Sequence, residues 1–404
     1  MRRSKIVCLV LAVVLCTPWP AEAATNDPLF NQLWGLRRIG AEAAWNVSRG
    51  AGVLIAVIDT GVHLNHPDLK GQLVPGSSVV DEQGPEDSHG HGTLIAGIAG
   101  AAAGNNEGIA GVAPDAKILP IRVFDRQGNA NSRRVANAIK FAVDAAAGRR
   151  AKLVLNLSFV GPSQLSPAAG EPAGPIFGDE AVRKAIADAA ASGAAVITAA
   201  GNEGSSTTAF DAAPGKGIIV VGASDQDDKC APFTNYGAGL DILAPGVGVL
   251  STFWNPSENR TGYANADGTS MAVPFVSGAA ALLMSKGLTN VQAIERIIAT
   301  ASGPGVSCKG EKTKYRVLDV ALAISAPRNL QPVVTNPSPA PSAPIFPAGS
   351  ETPEDLGLEG EEAQDLVAEP VQLYDLTWTR GIALLAFFIA VNFLIAVVKQ
   401  EYYD

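Results

Sequence analysis

An α/β fold with a mostly parallel central sheet, covered on both faces by helices, is what the sequence predicts. Three observations carry that reading. Near-continuous apolar runs at 53–58, 118–123, 153–158, 195–199 and 218–221 mark strands buried on both sides. Ala-rich helical patterns at 132–147, 179–191, 270–285 and 290–299 lie between or after them. Alternating strands and helices set neighbouring strands parallel, because each crossover returns the chain to the same end of the sheet. Such sheets gather their chemistry at the carboxyl ends of the strands.

The 404 residues divide by texture. Residues 1–23 read as a signal peptide: Arg2, Arg3 and Lys5 precede an apolar run at 6–16, and Ala21-Glu22-Ala23 offers small residues to a signal peptidase. That run is too short to span, since a bilayer takes about 20 residues. Residues 24–326 form the globular domain. Stretch 327–379 is first Pro-rich, then acidic, and too poor in apolar residues to bury a core, so it reads as a stalk. Residues 380–398 read as a transmembrane helix. Its uncharged part, 381–398, is about 27 Å long as a helix. Arg380 and Lys399 bracket it, and Trp378 and Tyr402 sit at interfacial positions. Residues 399–404 then make a short cytoplasmic tail. The expected location is outside the cytosol, anchored in the cytoplasmic membrane of a bacterium. Oligomeric state stays open, including self-association through Asn392.

The formal charge of −9 has an address. Between 329 and 379 there are nine acids and no Lys or Arg, which leaves the globular part near neutral. The chain lacks the basic footprint that nucleic acid requires. Once the signal is removed, Cys230 and Cys308 are the two cysteines left. In an oxidising compartment an even pair suggests one disulfide. No Cys/His cluster has zinc spacing.

Four segments carry candidate chemistry. Asp59 ends the run Val57-Ile58-Asp59 and is followed by Thr60-Gly61. His89-Gly90-His91-Gly92-Thr93 leads into a small-residue helical pattern at 94–103. Asn202, in Gly201-Asn202-Glu203-Gly204, follows the strand at 195–199, and Gly268-Thr269-Ser270 opens an apolar helix. Singly, each is ordinary: a strand-end acid, a turn, a helix cap. Together they supply what acyl transfer needs: a nucleophile, a base, a carboxylate that orients the base and an oxyanion donor.

Asp59-Thr60-Gly61, His91-Gly92-Thr93 with Ala96-Gly97, Ala200-Gly201-Asn202 and the run from Gly268 to Pro274 resemble the signature segments of the subtilisin-like serine proteases, the subtilase family. His66-Pro67-Asp68-Leu69, the run from Ile109 to Pro114 and the run from Leu243 to Gly246 also look like family landmarks. The resemblance covers roughly residues 33–323 and implies a subtilisin-like fold over the domain 24–326. It further implies a serine endopeptidase with no required cofactor, acting on a peptide or protein, which the signal-like start and the span at 381–398 would make membrane-tethered. Ser270 would be the nucleophile, His91 the base and Asp59 its orienting carboxylate. Asn202 would donate to the oxyanion. An extended substrate would lie between Gly128-Asn129-Ala130 and Ser158-Phe159-Val160, as an added strand. The family usually has glycine where Val160 stands, so a narrowed pocket and small or medium residues before the cut are expected. Glu203 would lie near the pocket floor. Of the four histidines, His91 precedes Gly-Thr and takes the catalytic role; His63, His66 and His89 read as loop or surface residues.

Two departures limit the resemblance. No inhibitory prodomain fits between the signal and the domain. Asp68 matches a common structural-calcium position, but Asn105-Asn106-Glu107-Gly108 looks one residue short of the usual loop, and calcium needs six to eight oxygens. Signal, catalytic domain, Pro-rich stretch and C-terminal span also resemble the topology of the mycosins. The competing reading is a catalytically silent, protease-like binding or scaffold protein of a membrane or secretion assembly, which the complete set of four segments disfavours.

Overall fold

The computed structural model describes residues 25–80, 84–159, 176–206 and 217–327. The expected signal peptide, span and tail, and the stalk beyond Pro327, lie outside the described residues, as does Val160. Among the described residues, no helix is long and apolar enough to cross a membrane.

The strands are β1 (Val53–Asp59), β2 (Ser77–Ser78), β3 (Lys117–Arg122), β4 (Lys152–Leu157), β5 (Ala195–Ala199), β6 (Ile218–Ser224), β7 (Ile242–Pro245), β8 (Val249–Asn255), β9 (Arg260–Ala266), β10 (Ser302–Val306) and β11 (Tyr315–Val317). The helices are α1 (Trp34–Arg38), α2 (Ala41–Trp45), α3 (His91–Gly100), α4 (Ser132–Arg149), α5 (Glu180–Ala191), α6 (Thr269–Ser285), α7 (Asn290–Thr300) and α8 (Val320–Ser325). Nine strands form one sheet in the order β10-β11-β7-β6-β5-β4-β1-β3-β2, parallel except for the antiparallel pair β10–β11. Strands β8 and β9 make a separate antiparallel hairpin.

Strand β1 is buried along its whole length because both its faces are covered. Val53, Ile55 and Val57 join a core with residues of α3, α6, α7 and α8. Leu54, Ala56 and Ile58 face a second core with residues of α4 and α5. Helix α4 turns Val135, Ala138, Ile139, Ala142 and Ala146 inward, the spacing of a single helical stripe. Helices α3 and α6 are buried nearly all round, which explains their small and apolar sequences. Local caps fix the helix starts: Asn131 accepts the Arg134 N–H at 2.9 Å, and Thr289 with Gln292 forms a capping box before α7.

Each expected strand and long helix lies within a few residues of its observed bounds. The short helices α1, α2 and α8 were not expected, nor were β7, the β8–β9 hairpin and the β10–β11 pair. Strands β8 and β9 carry Ser251, Thr252, Thr261 and Asn265 among their apolar residues, so no apolar run announces them. Strand β1 pairs with β3 on one side and β4 on the other, so the direction of winding reverses beside it. A crevice at the carboxyl end of β1 follows from that reversal.

Cys230 and Cys308 are disulfide-bonded, with Cα atoms 5.3 Å apart and a sequence separation of 78. The bond ties the loop after β6 to the segment between β10 and β11. Closing so long a loop stabilises by restricting the unfolded chain, on the order of 2–5 kcal/mol. A Cys230→Ser/Cys308→Ser variant should therefore unfold at markedly lower denaturant than the parent. An unchanged urea midpoint would show the bond to be thermodynamically idle.

Candidate active site

Strand β1 delivers Asp59 to its carboxyl end with 0% of its surface exposed. Asp59 Oδ1 accepts the Thr60 N–H at 2.7 Å and lies 2.8 Å from His91 Nδ1. An ionised carboxylate only accepts, so Nδ1 carries the proton and Nε2 is left as a free lone pair. The His91 side chain is 34% exposed, open on one side to a reacting partner. Burial pulls its pKa down, but the charge and hydrogen bond of Asp59, helped by Asp87, push it up. The net shift is above the ordinary 6.5.

The turn that presents His91 is organised by Asp87, which is 2% exposed. Its Oδ1 accepts the Thr60 hydroxyl at 2.8 Å, the His89 N–H at 3.0 Å and the Gly90 N–H at 2.8 Å. Its Oδ2 accepts the Thr93 N–H at 3.0 Å and the Thr93 hydroxyl at 2.5 Å. The Gly92 N–H bonds Thr60 Oγ1 at 2.9 Å. Free donors in and just before the first turn of α3 are thus satisfied from outside the helix, at its positive end. Sequence reading passed over Asp87. An acid placed just before the free amides of a helix start was the available signal.

Helix α6 carries Ser270 as its second residue, and α6 packs against α3. The position a Cβ would take on Gly278 lies 3.3 Å from the Ala99 carbonyl. Gly278 is as far along α6 from Ser270 as Ala99 is along α3 from His91. Both helices start at the carboxyl edge of the sheet, so they run parallel and in register, which sets Ser270 and His91 at adjacent helix starts. Asn202, just past β5, accepts both the Thr269 N–H and the Thr269 hydroxyl at 2.9 Å through Oδ1. That use of the oxygen turns Nδ2 outward as a donor. A Cβ on Gly268 would sit 2.9 Å from Ser270 Oγ and 3.6 Å from Asn202 Nδ2, so both groups border one small space.

The segments expected to hold substrate are tied down on either side. Ser158 Oγ accepts from Asn156 Nδ2 at 2.8 Å, and Asn156 Oδ1 accepts the Ser277 hydroxyl at 2.9 Å, fastening the end of β4 to α6. The Phe159 ring packs between Phe124 and Phe177 in the core, so only its main chain remains for an added strand. Gly128-Asn129-Ala130 is shaped by the Asp125 N–H to Asn129 carbonyl bond and the Asn129 N–H to Asp125 Oδ1 bond, both 2.9 Å. The Ala130 side chain is buried as well. His89 Nε2 lies 3.7 Å from the Cβ position of Gly128, which places this segment beside the His91 turn. Glu203 Oε2 accepts from Asn235 Nδ2 at 2.6 Å.

Two of the histidines read as loop or surface residues do lie in loops, but are buried there. His66, 1% exposed, faces the Gly262 carbonyl through Nε2 at 2.9 Å and accepts the Asp68 N–H through Nδ1 at 3.3 Å. Burial lowers its pKa to about 4. His63 stacks on Trp254, with ring centroids 3.8 Å apart. Hairpin β8–β9 covers both, and its strands were not legible in the sequence. Asp68, also fully buried, accepts the Ile109 N–H at 2.8 Å and Asn105 Nδ2 at 2.9 Å. Its pKa is raised to about 6, chiefly by burial and further by the charge of Asp27. Asp27 in turn accepts the Gly104 and Asn105 N–H groups. Among the described residues, no three His, Cys, Asp or Glu side chains converge as a metal site.

A strand-end acid bonded to an imidazole, beside a serine at a buried helix start, is an arrangement found in hydrolases, and comparison decides which. The subtilase-family profile matches residues 50–326. The chain belongs to the subtilase family. It is 40% identical over 305 residues to the thermophilic serine proteinase of Bacillus sp. strain AK1, covering 71% of this chain and 70% of that one. Thermitase of Thermoactinomyces vulgaris is 38% identical over 299 residues, with 72% and 98% covered. Among solved structures, a protease of Pseudoalteromonas arctica superposes with a TM-score of 0.63 at 26% identity, covering 74% of this chain and 98% of its own. This subtilase is therefore a serine endopeptidase.

The buried, neutral His66 fixes a pH dependence of stability. Its pKa is about 4 in the folded chain and 6.5 unfolded, so the unfolded state takes up the extra proton between these values. The stability it supports is whole above pH 6.5 and is lost as pH falls towards 4, by about 3 kcal/mol at most. In His66→Gln, melting temperature should decline less from pH 7 to pH 4.5 than in the parent. Parallel curves for the two proteins would refute this.

Proposed function

We propose that this subtilase is an exported, membrane-tethered endopeptidase in which Ser270 is the nucleophile and His91 the base. Asp59 orients the base, and Asn202 donates to the oxyanion. The 2.8 Å contact between Asp59 Oδ1 and His91 Nδ1 carries the assignment, because it leaves Nε2 of the neutral ring as a free acceptor at the start of α3, the helix that packs on α6. Nε2 takes the Ser270 hydroxyl proton as Oγ bonds to the scissile carbonyl carbon. The resulting imidazolium is stabilised by Asp59. Oxyanion charge is met by Asn202 Nδ2 and the Ser270 N–H, at the positive end of the α6 dipole. Collapse of the tetrahedral adduct breaks the C–N bond, and His91 gives its proton to the leaving amine. Water, deprotonated by His91, then hydrolyses the acyl-Ser270 ester and restores the enzyme.

Substrate is read as an extended chain beside 128–130 and 158–160, with Val160 favouring small or medium residues before the cut. The signal-like start and the apolar stretch 381–398 support export and anchorage, with the catalytic domain on the extracytoplasmic side. Signal, Pro-rich stretch and span together support a mycosin-like topology. A structural calcium ion would draw on the buried carboxylates of Asp27 and Asp68; Asn105 is exposed, donates its Nδ2–H to Asp68 and accepts the Glu107 N–H through Oδ1. Like-charged Asp27 and Asp68 lie close enough to perturb one another, a repulsion that a divalent cation relieves. It would pin the segment at Asp27 to the loop 104–109 and take no part in the chemistry.

Treating membranes that carry the full chain with a fluorophosphonate should label the parent and not Ser270→Ala. A parent that is folded yet stays unlabelled, or label found only in the soluble fraction, would sink the corresponding half of the proposal. Asn202→Ala should lose ~10²–10³ in kcat, and Asp59→Asn about 10⁴. His91 must be neutral to act, and its raised pKa keeps it protonated further up the scale. The acid limb of kcat/KM should therefore lie above pH 6.5 and move down in Asp59→Asn. For the cation, millimolar calcium should raise the melting temperature of the parent and leave Asp68→Asn unmoved. No increment in the parent would exclude the site.

A further inference from the structure

We infer that Trp254 is a positioning residue for His91, acting with His63 and Glu86 on the turn that Asp87 organises. The inference rests on His91 being the base, but uses residues to which no step of the chemistry assigns a role.

Trp254 lies near the end of β8 and is 7% exposed. Its indole N–H donates to the Asp87 carbonyl oxygen at 3.0 Å. Its ring lies flat on the His63 ring, 3.8 Å between centroids and 4° between planes. Its own carbonyl crowds Gly90: a Cβ there would lie 2.3 Å away, at a φ of +100° that only glycine adopts easily. Two separate parts of one residue, the indole N–H and the carbonyl, therefore press on the turn from Asp87 to His91, while its ring packs on His63.

His63 closes the circuit. Its Nδ1 lies 2.5 Å from Glu86 Oε1, and the second oxygen of Glu86 accepts the Leu64 N–H at 3.2 Å. The His63 N–H bonds the Thr93 hydroxyl at 2.9 Å, and that hydroxyl bonds Asp87 Oδ2. Asp87 is thus held at its carbonyl by Trp254, at its carboxylate by Thr93, and through its neighbour Glu86 by His63. Stacking between an aromatic face and a ring paired to a carboxylate adds attraction beyond burial alone.

The hairpin that carries Trp254 also reaches the nucleophile. Ser251 Oγ donates to the Leu94 carbonyl at 2.6 Å and Thr252 Oγ1 to the Thr93 carbonyl at 2.7 Å, laying β8 along α3. At the other end, β9 runs through Asp267 and Gly268 into Ser270, and Asp267 Oδ1 accepts the Gly248 N–H just before β8. One hairpin is therefore bonded to the base's helix and continuous with the nucleophile's. It can fix the distance between Nε2 and Oγ, on which proton transfer depends steeply.

The test uses the full chain and a chromogenic peptide, with kcat counted per site titrated by a fluorophosphonate. Trp254→Phe keeps a ring on His63 and removes the N–H to Asp87; Trp254→Ala removes both. Expected losses in kcat are roughly tenfold and roughly a hundredfold, with KM within about twofold, since misplacement of a reacting group by ~1 Å costs on that order. In combination with His63→Ala, the Trp254→Ala loss should be markedly less than multiplicative, because both act through one contact. Unchanged kcat per titrated site in a folded Trp254→Ala protein would overturn the inference. So would a fall in melting temperature or in the titratable fraction alone, or a multiplicative double variant. Failure of the parent to titrate would instead count against the catalytic reading of Ser270.

Discussion

A carboxylate with no solvent exposure, at the end of a central strand, is the constraint from which the rest of the site follows. Asp59 can stay ionised there only if donors meet it, because an unpaired buried charge costs several kcal/mol. It receives two, the Thr60 N–H and His91 Nδ1, both at one oxygen. Its Oδ2 has no hydrogen-bond partner among the described residues. The imidazole is therefore part of how the fold accommodates β1, as well as part of the chemistry. Helix α3 must begin where the ring can reach, and Asp87 supplies the acceptors that make a helix start there stable. Two buried acids beside one helix start are tolerable because the start is the positive end of the dipole and its free amides point at one of them.

Parallel registration of α3 and α6 extends that constraint to the nucleophile. Gly97, Ala99 and Gly278 keep these helices and the hairpin close: a Cβ on Gly97 would lie 2.2 Å from Thr252 Oγ1, and one on Gly278 2.4 Å from Val112. Small residues in α3 and α6 thus fix distances between elements rather than filling space. A methyl group added at Gly97 would push α3 off β8, and one at Gly278 would push α6 off Val112; the proposed reacting groups lie at the starts of these two helices.

The five central strands of the sheet, the long helices on its two faces and the four chemistry-bearing segments were legible in the sequence, because burial leaves a local apolar signature and turns demand particular residues. Hairpin β8–β9 was not, since its strands mix hydroxyl, amide and aromatic residues to suit a partner helix. The burial of His63 and His66 was hidden for the same reason: Trp254, Gly262 and Tyr263, which cover them, are almost two hundred residues away in sequence. Asp87 was missed because its partners are mostly backbone amides, and no residue type announces those. What sequence pattern hides here is chiefly the long-range hydrogen bonds that aim a side chain already recognised.

Both ends of the described chain are fastened by buried polar groups. Asp27 holds the amides of 104 and 105, and Arg296, largely buried on α7, donates to the carbonyls of Ala326 at 3.0 Å and Pro327 at 2.9 Å. A tether leaving at Pro327, as proposed, would load that arginine and α7 first. Helix α7 packs on α6, β5 and β6 but makes none of the contacts that aim His91, Asn202 or Ser270. Force on the stalk would meet a charge-assisted clamp before it reached the start of α6. A fold anchored at that end could therefore keep the hydrogen-bonded geometry at the carboxyl edge of its sheet, because the two demands fall on different hydrogen bonds.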